Sequence, residues 1–205
     1  SNDWFADQLN EQGWLVAYPQ RRGRGQSDGL YDEGFAKERT QGYTCHKKRS
    51  LAGADRALQD IAAAIDALQK RPDISGEPVL MSGISRGGIL SVAYAGRHPE
   101  QVSGVVNFVG GWVGDDCHTA ETINTELFRQ GGLFRKPTLW IYGHEDAFYS
   151  MEHSRNNFAA YQQAGGVGNF MEVTVAGKGN GHWAMFVPNL WAEALFNYLS
   201  TIAGE

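Results

Sequence analysis

Two apolar patterns alternate along the chain. Short apolar runs cover Trp14-Leu15-Val16-Ala17-Tyr18 (closed by Pro19), Val79 to Met81 and Thr138 to Tyr142, Val102 to Val109 is rich in valine, and Phe170 to Val175 alternates. Runs of this kind predict strands buried on both faces of a parallel sheet. Between them, apolar residues recur at helical spacing. Asp3 to Gln12 carries Trp4, Phe5 and Leu9 on one side and ends at Gly13. A longer helix runs from a Ser50 cap through Leu51, Leu58, Ile61, Ile65 and Leu68 to Arg71-Pro72. Further helices are predicted over Arg86 to Arg97, from Thr119, over Met151 to Ala164 with Phe158 and Tyr161 inward, and from Pro188 with Leu190, Trp191, Leu195 and Leu199. Strand and helix alternate with no repeat and no linker. The pattern predicts a single α/β domain over residues 1–205, a mostly parallel sheet flanked by helices.

One stretch breaks the alternation. Residues 20–49 are polar and Gly-rich and include Arg21-Arg22-Gly23-Arg24-Gly25-Gln26-Ser27-Asp28-Gly29. A loop of this length in a compact domain is often functional. The arginine run is isolated and follows an apolar run, so it reads as an ordered loop. With a net charge of −5, the chain shows no broad nucleic-acid footprint. No apolar run approaches the roughly 18 residues needed to cross a bilayer, and no signal peptide is visible. Ser1-Asn2 is compatible with a cloning remnant. Cys45 and Cys117 are each followed by histidine, but their spacing does not suit zinc. Both fall in predicted loops on one side of the sheet, so a disulfide is allowed and so are two free thiols. A bond implies an oxidising compartment, periplasmic or extracellular; free thiols suit the cytoplasm. No metal, cofactor, nucleic-acid or membrane partner is expected, and a homo-oligomer is left open.

The candidate chemistry lies at strand ends. Met81-Ser82-Gly83-Ile84-Ser85-Arg86-Gly87 closes an apolar run with Gly-x-Ser-x-Gly and opens a helix. A sharp strand-to-helix turn of this kind lifts Ser85 clear of the backbone as a candidate nucleophile. Gly83 and Gly87 are expected to be small because side chains there would collide with strand and helix. The N–H of Arg86, next to Ser85, is a candidate oxyanion donor. After Trp140-Ile141-Tyr142 comes Gly143-His144-Glu145-Asp146, and beyond Val175 comes Gly181-His182-Trp183. A serine hydroxyl needs a base, and the base needs a carboxylate to orient it. His182 and Asp146 supply these in the order Ser, Asp, His. Glu145 competes with Asp146, whose shorter side chain suits the close approach. Asp115 and Asp116 read as loop acids or caps, with a rearranged triad as the alternative. Trp112, Phe148, Tyr149, Trp183 and Phe186 flank these loops as candidate pocket residues.

These residues resemble the α/β-hydrolase superfamily. Gly83-Ile84-Ser85-Arg86-Gly87-Gly88 is similar to the elbow of dienelactone hydrolase-like and prolyl oligopeptidase-like members. Pro19-Gln20-Arg21-Arg22-Gly23-Arg24-Gly25-Gln26-Ser27 is similar to the family's Asp-x-Arg-Gly-x-Gly-x-Ser segment, with Gln20 or Arg21 where an aspartate is usual. The resemblance implies a serine hydrolase acting on a small carboxylic ester or lactone through an acyl-enzyme. A prolyl oligopeptidase-like peptidase is the near alternative, weakened by the lack of a propeller domain. A non-catalytic hydrolase-fold binding protein is the distant one. In the family, the first strands and a second oxyanion donor precede the helix that begins at Asp3. The fold is therefore expected to be N-terminally incomplete in this chain.

Overall fold

Four parallel strands, in the spatial order of the chain, carry the site: β1 (Val79–Ile84), β2 (Val102–Phe108), β3 (Pro137–Gly143) and β4 (Val167–Val173). The computed structural model describes residues 3–34 and 44–202. Helices α1 (Asp3–Asn10) and α2 (Lys47–Gln69) precede the sheet. The crossovers are α3 (Arg86–Arg97), α4 (Ala120–Gly131) and α5 (Met151–Gln163), and α6 (Ala192–Ile202) follows β4. The register aligns Ile84, Phe108, Ile141 and Met171 in one row across the sheet. Because every strand runs the same way, the loops after β1, β2 and β3 leave from this one edge, where open α/β sheets bind ligands.

Side chains alternate across a strand, so Gly104 and Asn107 face opposite layers. A Cβ on Gly104 would run into Tyr198 of α6, whereas Asn107 reaches Gly88 of α3. Phe108, on the α6 side, meets Phe5 of α1 and Trp191 edge-on at 6.3 and 4.8 Å between ring centroids. Trp140, on the other side, packs at 4.8 Å from Phe128 of α4 and 5.0 Å from Tyr161 of α5. Both faces of β2 and β3 are buried, in keeping with their largely apolar sequence.

Four expectations change. Trp14 to Tyr18 is not a strand; Leu15 and Tyr18 are exposed. A strand needs a neighbour about 4.8 Å away. Here a trough of about 390 Å³, lined by this segment, β1 and Ile61, Ile65 and Leu68 of α2, takes that place. β1 pairs with β2 alone among the described strands, and all six of its residues are only half-buried. Ser50 does not cap α2. The helix starts at Lys47 after His46, and the Ser50 hydroxyl donates to the Thr44 carbonyl at 3.0 Å. β4 runs from Val167 to Val173, starting three residues before and ending two residues before the expected Phe170–Val175 strand, because it is fixed by pairing with β3. Pro188–Leu190 forms a separate 3₁₀ turn before α6. Of the expected 20–49 loop, residues 35–43 lie outside the described residues.

Candidate active site

β1 ends at Ile84 and α3 begins at Arg86, so Ser85 makes the whole turn, with φ 54° and ψ −120°. Its N–H donates to the Phe108 carbonyl at 2.9 Å, while its own carbonyl accepts from Gly88 and Ile89 in the helix and from Gly111. Among the described residues, only two other non-glycine residues have positive φ: Val109 (43°) and Glu145 (55°). They stand just past β2 and β3. Such conformations store about 1–3 kcal/mol each and cluster at functional sites. A ladder across the sheet edge holds them: Val109 N–H donates to the Ile141 carbonyl at 2.9 Å, and His144 N–H to the Val173 carbonyl at 2.8 Å.

The two elbow glycines are not equivalent. A Cβ on Gly83 would collide with the backbone of Gly87, so glycine is required there. A Cβ on Gly87 meets nothing within 4 Å, contrary to the expectation that both would clash. Gly88 is the second tight point, because its Cβ would strike Asn107 Oδ1. Asn107 Nδ2 donates to the Tyr142 hydroxyl at 3.1 Å, and Tyr142 donates to the Gly110 carbonyl at 2.9 Å. This buried polar floor ties the loop after β2 to β3, and burial raises the Tyr142 pKa well above that of an ordinary phenol. Sequence reasoning missed both residues; the polar Asn107 inside an apolar strand was the available signal.

The loop after β3 meets the turn beyond β4. Asp146 and Asn180 form an isolated antiparallel bridge, and Gly143 and Gly181 stack backbone on backbone with no room for a Cβ on either. That contact delivers His182 to Asp146. Its Nδ1 lies 2.8 Å from Asp146 Oδ2, and both side chains are buried. Asp146 Oδ1 accepts from the N–H groups of Phe148 (2.7 Å) and Tyr149 (3.2 Å). With both oxygens fixed as acceptors, Nδ1 carries the proton and Nε2 is left as the acceptor nitrogen. Glu145 makes no such contact in its left-handed conformation. His144 instead lies 3.2 Å from Glu172.

Ser85, Arg86 and His182 share one cavity of about 400 Å³, walled by Trp112, Asp116, Phe148 and Tyr149 and by Cys45 and Cys117. Trp183 and Phe186, read as pocket residues, stand outside this wall. They are half exposed, and Trp183 sits edge-on to His182 at 5.7 Å. Cys45 and Cys117 are disulfide-bonded, with Cα atoms 5.4 Å apart. The loop carrying Trp112 is held by Asn124. Its Oδ1 accepts from Trp112 N–H (2.9 Å) and Val113 N–H (3.2 Å), and its Nδ2 lies 2.9 Å from His153 Nε2. Burial lowers the His153 pKa, against the opposing pull of Asp115 and Glu121. Asp115 thus contacts His153, at 3.2 Å, rather than His182. Among the described residues, no group of three His, Cys, Asp or Glu side chains is placed to hold a metal ion.

No curated protein sequence matches the chain. Among solved structures, the chain resembles DcsB bound to its substrate analogue, with a TM-score of 0.68 at 12% identity over 98% of this chain and 84% of that one. It also resembles Est1E from Butyrivibrio proteoclasticus with ferulic acid bound, with a TM-score of 0.60 at 12% identity over 91% and 76%. A truncated carbohydrate esterase from gut microbiota superposes with a TM-score of 0.55 at 15% identity over 84% and 83%. At these identities the likeness establishes the α/β-hydrolase fold. The family described as serine aminopeptidase S33 matches residues 2–116, a span that holds Ser85 and stops short of Asp146 and His182. By that match over more than half its length, the chain belongs to the S33 serine aminopeptidase family of α/β hydrolases.

Proposed function

We propose that the protein is a serine hydrolase that cleaves a small carboxylic ester or lactone through an acyl-enzyme on Ser85. One observation carries the reading: the strained Ser85 and His182, whose Nδ1 is paired with the buried Asp146, open onto the same cavity. Ser85 Oγ attacks the substrate carbonyl while His182 Nε2 takes its proton. Asp146 keeps the Nδ1 proton in place and stabilises the imidazolium. The N–H of Arg86, at the first position of α3 where helical N–H groups lack intrahelical acceptors, receives the oxyanion. His182 then protonates the leaving alcohol. A water, deprotonated by the same nitrogen, attacks the acyl group, and collapse of that second intermediate returns the proton to Ser85 Oγ and frees the acid.

The cavity's volume suits a small substrate, and its Phe148 and Tyr149 rings offer apolar contact. Est1E with ferulic acid and the carbohydrate esterase favour ester chemistry by analogy of fold. The dienelactone hydrolase-like placement belongs to this proposal and rests on the elbow sequence. The Cys45–Cys117 bond suits an oxidising compartment. Peptide cleavage at an N-terminus is the second reading. It is favoured by the family description and by Asp116, whose carboxylate at the cavity can meet a substrate ammonium.

A panel of p-nitrophenyl esters of increasing acyl length, a small lactone, aminoacyl-p-nitroanilides and a Pro-containing peptide decides between them. Turnover of short esters by the parent and none by Ser85→Ala supports the proposal. Cleavage of the anilides or the peptide alone refutes it. A folded protein that binds these compounds but turns over none of them is a binding module.

A further inference from the structure

Glu33 has no place in the chemistry above, yet three arginines converge on it. Arg21 Nε and Nη2 reach its carboxylate at 2.5 and 3.2 Å, Arg24 Nη2 at 2.9 Å and Arg86 Nη1 at 3.3 Å. Its side chain is 4% exposed. Arg86 follows the nucleophile directly, and its guanidinium is held from two further directions. Nε donates to the Trp112 carbonyl at 3.0 Å, Nη1 donates to the Glu33 carbonyl at 3.2 Å, and the group lies 3.8 Å from the centre of a Trp112 ring. Arg22, the remaining arginine of the run, binds Asp60 of α2 through Nε at 2.7 Å and through its N–H at 3.0 Å. The basic run thus fastens the 20–34 loop to α2 on one side and, through Glu33, to the elbow on the other.

We infer that Glu33 is a positioning residue for the oxyanion donor: by anchoring the Arg86 side chain, it fixes the direction of the Arg86 main-chain N–H beside Ser85. The inference rests on the serine hydrolase reading. The peptide between Ser85 and Arg86 is set by two torsions, ψ of Ser85 and φ of Arg86. The N–H groups of Gly88, Ile89 and Gly111, which donate to the Ser85 carbonyl, restrain the first, and an immobile Arg86 side chain restrains the second. A buried arginine keeps that position only while a carboxylate balances it. Burial alone would raise the Glu33 pKa, but the hydrogen bonds and charges of Arg21 and Arg24 pull it down to about 2. Glu33 is therefore ionised wherever a histidine base is active, so it sets the height of the rate–pH profile and not its midpoint.

The test is Glu33→Gln, which keeps the shape and removes the charge, with Glu33→Asp and Arg21→Gln beside it, assayed on p-nitrophenyl acetate. Glu33→Gln is expected to lose roughly 10- to 100-fold in kcat, part of what deleting a donor removes, with KM within threefold and an unmoved pH midpoint. Glu33→Asp recovers part of the loss. Arg21→Gln, whose described hydrogen bonds run to Glu33, lowers the melting temperature but keeps kcat within twofold. Parental kcat in Glu33→Gln, or an equal loss in Arg21→Gln, overturns the inference. If Glu33→Gln does not fold, Arg86→Lys, which keeps the charge and loses the fork, must show the same kcat loss; parental kcat there overturns it equally. An inactive parent defeats the hydrolase reading instead. In that case a crystal structure of Glu33→Gln still reads the clamp: Arg86 leaves the Trp112 ring if the inference holds and stays if it fails.

Discussion

Replacing Asp146 by asparagine tests the orientation of the proposed base without removing an atom's worth of volume. Oδ1 of Asp146 accepts two main-chain N–H groups, from Phe148 and Tyr149, and Oδ2 accepts from His182 Nδ1 at 2.8 Å. An asparagine must keep its oxygen toward the two N–H groups, since turning it would set an NH2 against two donors. Its NH2 then faces His182 Nδ1, which is forced to become the acceptor. The imidazole proton moves to Nε2, where the serine proton has to go. The wrong tautomer leaves Ser85 without a base and should lower kcat about 10³- to 10⁴-fold, equivalent to roughly 4–5.5 kcal/mol of barrier. Stability should change little, because every hydrogen-bonded position keeps a partner. The assay is steady-state hydrolysis of p-nitrophenyl acetate, paired with thermal unfolding and a Glu145→Gln control that stays within threefold. A tenth or more of parental kcat in Asp146→Asn, or an equal loss in Glu145→Gln, would falsify the assignment.

Three further outcomes can be checked by thermal or acid unfolding. Gly83→Ala, which drives a Cβ into the Gly87 backbone, should destabilise the fold by about 1–3 kcal/mol and lower Tm by roughly 2–12 °C. Gly87→Ala, facing open space, should stay within about 0.5 kcal/mol, and equal losses in the two would contradict the geometry. The Cys45–Cys117 bond closes a separation of 72 residues, so Cys45→Ser/Cys117→Ser should cost about 4 kcal/mol by chain entropy. An unchanged Tm, with the parent shown oxidised by intact mass, would contradict it. The Glu33 pKa is depressed from 4.5 to about 2 in the folded protein. Its contribution of about 3 kcal/mol is therefore fully present above pH 4.5 and fades as pH falls toward 2. Between pH 6 and 3 the parent should lose more stability than Glu33→Gln; parallel curves would refute the pairing.

Much of this was legible in the sequence because it depends on local chemistry. Arg86 to Arg97 carries its own stop in His98-Pro99, and the observed α3 has those bounds. β2 and β3 were visible because a strand covered on both faces stays largely apolar along its length, with Asn107 the buried exception in β2. The meeting of His182 with Asp146 was legible only as a class of residue at a strand end. What joins them is the contact of Gly143 with Gly181, which no local pattern records. Trp14 to Tyr18 misled for the converse reason: an apolar run states that it seeks cover, whereas strand identity depends on a ladder partner elsewhere. Trp183 was near in sequence to His182 but does not line the cavity, since the 3₁₀ turn Gly181–Phe186 sends successive side chains in different directions. Glu33 was invisible because its importance comes from Arg86, 53 residues further along the chain.

The central claim is that Ser85 is a nucleophile driven by His182. Intact-mass and peptide analysis after treatment with a fluorophosphonate tests it most directly, since the reagent needs no knowledge of the natural substrate. The account predicts a single adduct on Ser85, absent in Ser85→Ala and formed far more slowly in His182→Ala. A folded protein that takes up no adduct, or takes it up equally in Ser85→Ala, contradicts it.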